Sequence, residues 1–123
     1  MKVLVADDNE YIRELVNRML EEAGVEFDNA ENGLECLEKL AENAYDAMFL
    51  DLIMPEADGE DVLRHISKSV NPDIEVVIMS SQDDDRAIQE IMDLGASAYM
   101  TKPLTLDTVK DVIAKLQAHA ANK

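Results

Sequence analysis

The stretch Ala47-Met48-Phe49-Leu50-Asp51-Leu52-Ile53-Met54-Pro55-Glu56-Ala57-Asp58-Gly59 decides the reading of the chain. Ala47 to Leu50 is an uncharged apolar run, too short for a helix and suited to a strand buried on both faces of a parallel sheet. It stops at a carboxylate, Asp51. After Gly59 the apolar spacing changes: Val62, Leu63 and Ile66 fall on one helical face, and Asn71-Pro72 marks the next break.

Outward from this unit the same alternation repeats. Val3 to Ala6, Val25 to Ala30, Val76 to Met79 and Ala98 to Met100 read as four more strands, the second being the weakest. Ile12, Leu15, Val16, Met19, Leu20 and Ala23 give a first helix stopped by Gly24. Asn32 with Glu35 reads as a capping box for a second helix that turns Leu34, Leu37, Leu40 and Ala41 toward the sheet. A fourth helix is expected from about Asp83 to Leu94, carrying Ala87, Ile88, Ile91 and Met92 and ending at Gly95. Thr105 is the expected N-cap of a fifth, with Leu106, Val109, Val112, Ile113 and Leu116 inward and a frayed end over residues 118–123. Five strands alternating with five helices predict an α/β fold, (βα)5, with a doubly wound five-stranded parallel sheet in the order 2-1-3-4-5.

Composition narrows the function. The 123 residues suffice for one domain with a full core, and the single cysteine, Cys36, builds neither a disulfide framework nor a thiolate cluster. A formal charge of −16 repels phosphate backbones and anionic lipid, so direct nucleic-acid binding is not expected. The apolar start meets Asp7-Asp8 too soon for a signal peptide, and no stretch approaches the ~20 apolar residues of a membrane span. These features predict a cytoplasmic domain without membrane insertion.

In the order 2-1-3-4-5, strands one and three are neighbours and their carboxyl ends flank the crevice where doubly wound sheets bind ligands. Asp7, Asp8 and Asp51 stand at those two ends. Three convergent carboxylates repel one another and call for a cation, and an all-oxygen set beside phosphate chemistry suits Mg²⁺. Lys102, after strand five and before Pro103, supplies the positive charge that would bring such a site to neutrality, and Ser80 adds a hydroxyl at the same rim.

These residues carry a resemblance. Asp7-Asp8, the stretch from Asp51 to Gly59, Ser80 and Lys102-Pro103 stand in order at strand ends, with 43 residues from Asp8 to Asp51, 29 to Ser80 and 22 to Lys102. Over its whole length, residues 1–123, the sequence resembles a receiver domain of two-component response regulators, with the flavodoxin-like fold of the single-domain chemotaxis regulator, and no output domain is expected within these residues. The resemblance implies that Asp51 accepts a phosphoryl group from a sensor histidine kinase or a histidine phosphotransfer protein. It implies that Asp8 and Asp51 hold Mg²⁺ directly, Asp7 acts through bound water and the Ile53 carbonyl completes the protein ligands. Lys102 and Ser80 would bind phosphoryl oxygens. Ser80 and Tyr99 would then form the switch that remodels the surface of helix four, strand five and helix five for an output protein, with Ile88 and Tyr99 as its apolar part. A chemotaxis-type shuttle, a phosphorelay intermediate and a receiver excised from a longer protein all fit the resemblance, and so does a phosphorylation-dependent dimer.

Simpler readings cover the remaining polar groups. Asp83-Asp84-Asp85 reads as a solvated first turn, His65 and His119 as surface residues and Cys36 as a packing residue. Two other functions share parts of the pattern. A flavodoxin-like electron carrier would need hydroxyls and amides where Asp7 and Asp8 stand, and a Mg²⁺-dependent phosphatase with an aspartate nucleophile usually carries a second aspartate where this chain has Ile53.

Overall fold

The computed structural model of the chain describes residues 1–54, 59–66 and 73–121. The strands are β1 (Lys2–Ala6), β2 (Glu26–Ala30), β3 (Ala47–Asp51), β4 (Glu75–Ser80) and β5 (Ala98–Thr101). The helices are α1 (Glu10–Glu22), α2 (Gly33–Glu42), α3 (Gly59–Ile66), α4 (Asp85–Asp93) and α5 (Leu106–Ala121). All neighbouring strands are parallel, in the order β2-β1-β3-β4-β5. The expected sheet is therefore observed. The segment from Pro55 to Asp58, the Asn71-Pro72 break and the last two residues of the expected fraying lie outside the described residues.

Alternation along the strands divides the core in two. Leu4, Ala6, Met48, Leu50, Val76 and Ile78 face one side, where Cys36, Leu40, Val62, Leu63, Ile66 and Ile91 cover them. Val3, Val5, Phe49, Val77, Met79 and Met100 face the other, under Val16, Met19 and Leu20 of α1 and Val109, Ile113 and Leu116 of α5. A period of two thus places three helices on one face and two on the other.

Several boundaries and faces differ from expectation. β3 includes Asp51, which pairs in register with Met79, so the carboxylate stands on the last strand residue and not beyond it. α2 buries Gly33, Cys36 and Leu40, whereas Leu34 is half exposed and Ala41 exposed. Cys36 Sγ lies 3.5 Å from Met48 Sδ, where α2 meets the sheet. Burial pushes the Cys36 thiol up to about 12, so it stays a packing group. Leu106 is also largely exposed, because α5 turns Val109, Ile113 and Leu116 inward. α4 starts at Asp85, with Asp84 as the cap accepting from the Arg86 N–H at 2.8 Å.

α5 does not fray after residue 117 but continues to Ala121. Gln117 donates to the Ala23 carbonyl at 3.1 Å and His119 lies 2.9 Å from Glu75, which ties the last turns to α1 and β4. Other ends follow the sequence. Asn32 accepts from the Glu35 N–H at 2.8 Å, Thr105 from the Thr108 N–H at 3.2 Å, and Gly24 takes φ of 72° after α1.

Candidate functional site

The carboxyl ends of β1 and β3 lie side by side, with Ala6 opposite Leu50, so the residues that follow them share one crevice. Carboxylate oxygens of Asp7, Asp8 and Asp51 come within 4.8 Å of one another there. Lys102, just beyond β5, reaches the cluster: its Nζ lies 3.0 Å from Asp7 Oδ2 and 3.4 Å from Asp51 Oδ1. The Lys102–Pro103 peptide bond is cis.

The three carboxylates are held differently. Asp7 is fully buried; its Oδ1 accepts from the Asn9 N–H at 2.8 Å while Oδ2 accepts from Lys102. Asp8 is exposed. Asp51 keeps a side-chain exposure of 8 %, and its only hydrogen-bond distances among the described residues are 3.4 Å, from Lys102 and from the Ile53 N–H. Contacts that long are weak. The Asp51 carboxylate is therefore enclosed but only weakly held.

Burial pushes the Asp51 carboxyl up to about 6, reinforced by the Asp7 charge and opposed by Lys102. Burial acts to lower the Lys102 ammonium, but its bond to Asp7 and the charges of Asp51 and Asp7 outweigh this and hold it above its ordinary value. Three carboxylates against one ammonium leave a site short of positive charge. Its donors are all hard oxygens, so the chemistry of the set fits a divalent cation such as Mg²⁺.

Ser80 ends β4 and is buried at the same rim; it lies in register with Thr101, and its carbonyl accepts from the Lys102 N–H at 2.7 Å. No hydrogen bond joins its hydroxyl to Asp51 among the described residues. Instead, Oγ accepts from the Gln82 N–H at 3.1 Å. Tyr99 on β5 is half-buried, and its hydroxyl donates to the Gln82 carbonyl at 3.0 Å. Ile53 is 70 % exposed beside Asp51. Ile88 is half-buried on α4.

Two contributors, Asn9 and Arg13, are missing from the sequence reading, and a third, Gly59, is read there only as the end of the Asp51 stretch and the start of a helix. Asn9 orients Asp7 while capping α1 through the Tyr11 and Ile12 N–H groups. Arg13 places Nη1 2.7 Å from the Asp7 carbonyl. Gly59 brings its N–H to 2.9 Å from the Leu52 carbonyl, and a Cβ on it would stand 2.7 Å from Leu52 Cα. The signal for Gly59 was its place at a helix start directly after the Asp51 loop. A main-chain carbonyl bound by Arg13 has no such signature.

Against known proteins, the family model for the response regulator receiver domain matches residues 3–114. Sporulation initiation phosphotransferase F of Bacillus subtilis is 32% identical over 114 residues, 93% of this chain and 91% of that protein. Response regulator RR06 of Streptococcus pneumoniae is 39% identical over 106 residues, which cover 86% of this chain but 48% of that longer protein. The solved receiver domain of the Francisella response regulator 1452 matches with a TM-score of 0.88 at 32% identity, covering 97% of this chain and 98% of that one. This chain belongs to the receiver domains of two-component response regulators.

Proposed function

We propose that residues 1–123 form a phosphorylation-controlled switch in which Asp51 accepts a phosphoryl group from a phosphohistidine, on a sensor histidine kinase or a histidine phosphotransfer protein, in a Mg²⁺-dependent reaction. The observation that carries this is the hold on Asp51: a nearly buried carboxylate with only 3.4 Å contacts, beside two other carboxylates and one lysine. An Asp51 oxygen attacks phosphorus in line, the phosphorus–nitrogen bond breaks, and the imidazole leaves after taking up a proton.

Asp8, Asp51 and the Ile53 carbonyl would hold Mg²⁺ directly, and Asp7 would act through water, in keeping with its two oxygens being engaged by Asn9 and Lys102. When bound, the cation neutralises charge on the transferring group. Lys102 can turn from Asp51 to a phosphoryl oxygen, which keeps the site near neutrality as Asp51 becomes an acyl phosphate. A groove of about 380 Å³ between α1 and the residues after β5, lined by Tyr11, Ile12, Leu15, Pro103 and Leu104 together with the charged Glu14 and Arg18, offers the donor a seat beside Lys102.

The relay runs through Gln82. Its N–H is held by Ser80 and its carbonyl by Tyr99, so both ends of one residue are tied to the two switch positions. Among the described residues the Ser80 hydroxyl acts only as an acceptor, which leaves its hydrogen to meet a phosphoryl oxygen. Movement of Ser80 toward the phosphoryl group carries Gln82, shifts the acceptor of Tyr99 and alters the surface of α4, β5 and α5 that meets an output protein.

Incubation with Mg²⁺ and a small-molecule phosphodonor, followed by intact-mass measurement, tests the assignment. One added phosphoryl group is expected on the wild type and none on Asp51→Asn. Equal mass gain in both proteins, or none in the wild type, contradicts it.

A further inference from the structure

Arg13 lies in the first turns of α1, where its N–H bonds the Asn9 carbonyl at 3.2 Å. Side chains on a helix lean toward its N-terminus, and this one turns back past the cap into the loop that carries Asp7 and Asp8. Its Nη1 donates to the Asp7 carbonyl at 2.7 Å, and the side chain is only 11 % exposed. Its ionic partner is less firmly placed: Glu31 Oε1 stands 3.6 Å from Nη2 and that side chain is 67 % exposed. A buried guanidinium thus makes its short, charge-assisted bond to main chain and not to a carboxylate.

The other bonds of Asp7 show what this one does. Its N–H donates to the Ala30 carbonyl at 3.1 Å, Asn9 and Lys102 hold its carboxylate, and Arg13 takes the remaining main-chain group. Every polar group of Asp7 therefore has a partner, and Arg13 closes the set on the side from which Asp8 departs. We propose that Arg13 is a positioning residue for cation binding, its guanidinium fixing the Asp7 carbonyl so that the loop presents Asp7 and Asp8 to Asp51.

Two effects of the guanidinium oppose each other. A positive charge near the site repels a cation, whereas an ordered loop removes the cost of gathering three like charges. Burial of the group on the loop carbonyl, with Glu31 beside it, favours the second. Binding should therefore weaken when Arg13 is lost, although the local charge then becomes more negative.

The inference rests on the cation-site reading above, and the test separates the two. Mg²⁺ binding to the unphosphorylated full chain is measured by calorimetry for wild type, Arg13→Met, Arg13→Lys and Asn17→Ala. Arg13→Met keeps the apolar stem and loses the donor, and Arg13→Lys restores a charged donor. Asn17→Ala breaks an amide pair with Asn29, 2.8 Å in both directions, on the same helix but away from the loop.

Loss of such an outer partner should weaken Mg²⁺ about tenfold in Arg13→Met. Arg13→Lys should recover part of that loss, and Asn17→Ala should bind as the wild type does while melting at a lower temperature. The phosphorylation rate of Arg13→Met should return toward the wild-type value at saturating Mg²⁺, because Arg13 does not touch the reacting atoms. Equal or tighter Mg²⁺ binding by Arg13→Met, or the same loss in Asn17→Ala, overturns the role of Arg13 and leaves the site reading intact. A wild type that binds no Mg²⁺ overturns both.

Discussion

Asp7, Asp8 and Asp51 carry the same functional group and are held in three different ways. Asp7 is buried and saturated, Asp8 is exposed, and Asp51 is enclosed yet loosely bonded. The cost of enclosing Asp51 is measurable through pH. Its carboxyl is raised in the folded protein to about 6 from an ordinary 3.8, so the stability this group contributes is full below pH 3.8 and is lost as pH rises through 6. In metal-free protein, Asp51→Asn should therefore stabilise the fold at pH 7 to 8, by up to about 3 kcal/mol. The gain should shrink toward zero as the pH falls to 4. Urea unfolding of both proteins across this range checks the trend, and a gain that grows at low pH contradicts it.

Which residues were legible in the sequence follows from the kind of contact they make. Asp7, Asp8, Asp51 and Lys102 are side chains at strand ends, and strand ends can be read from apolar runs; the structure brings these four together. Ser80 is at the predicted rim, with its hydroxyl turned to Gln82. Asn9 and Arg13 act on or through main-chain groups, and nothing in residue identity announces a bound carbonyl.

At the scale of elements, the strands were the easier part. Apolar runs mark β1, β3 and β4, whereas β2 carries Glu26, Asp28 and Asn29 and is the weakest signal; all five are observed with shifts of a residue at their ends. Helix faces were harder. The sequence of α2 offers more apolar positions than one sheet contact can use, and the face that buries Gly33, Cys36 and Leu40 leaves Leu34 and Ala41 outside. The persistence of α5 to Ala121 depends on Ala23 and Glu75, both remote in sequence.

The junction between β3 and α3 gives a prediction at this scale. Gly59 starts α3 directly against the main chain of Asp51 and Leu52, and an added Cβ would meet Leu52 Cα at 2.7 Å and the Asp51 carbonyl oxygen closer still. Main-chain atoms on a buried strand end cannot swing aside as a flexible side chain would. Gly59→Ala should therefore destabilise the protein by about 1 to 3 kcal/mol, the usual cost of overpacking. It should also slow phosphorylation by shifting the strand end that carries Asp51. Urea unfolding and the rate of mass gain measure the two effects, and wild-type values for both would contradict the close packing seen here.

For the molecule as a whole, the parallel sheet does the assembling. Residues 7, 8, 51 and 102 meet because the strands before them all end at one edge, with β1 beside β3. The net charge of −16 opposes association of this surface with phosphate backbones and anionic lipid. Among the described residues no helix is long and apolar enough to cross a membrane. Membership of the receiver-domain family displaces the electron-carrier and phosphatase readings, which shared the sheet or the cation but not the full set of site residues.

The central claim concerns one atom-bearing position, and chemical trapping tests it most directly. Protein treated with Mg²⁺ and a small phosphodonor is reduced with borohydride, which converts an acyl phosphate on an aspartate into homoserine, and the product is mapped by tandem mass spectrometry. Homoserine at position 51 and nowhere else is the expected result. Homoserine at Asp7 or Asp8 with Asp51 unmodified, or no conversion at any aspartate, would contradict the account.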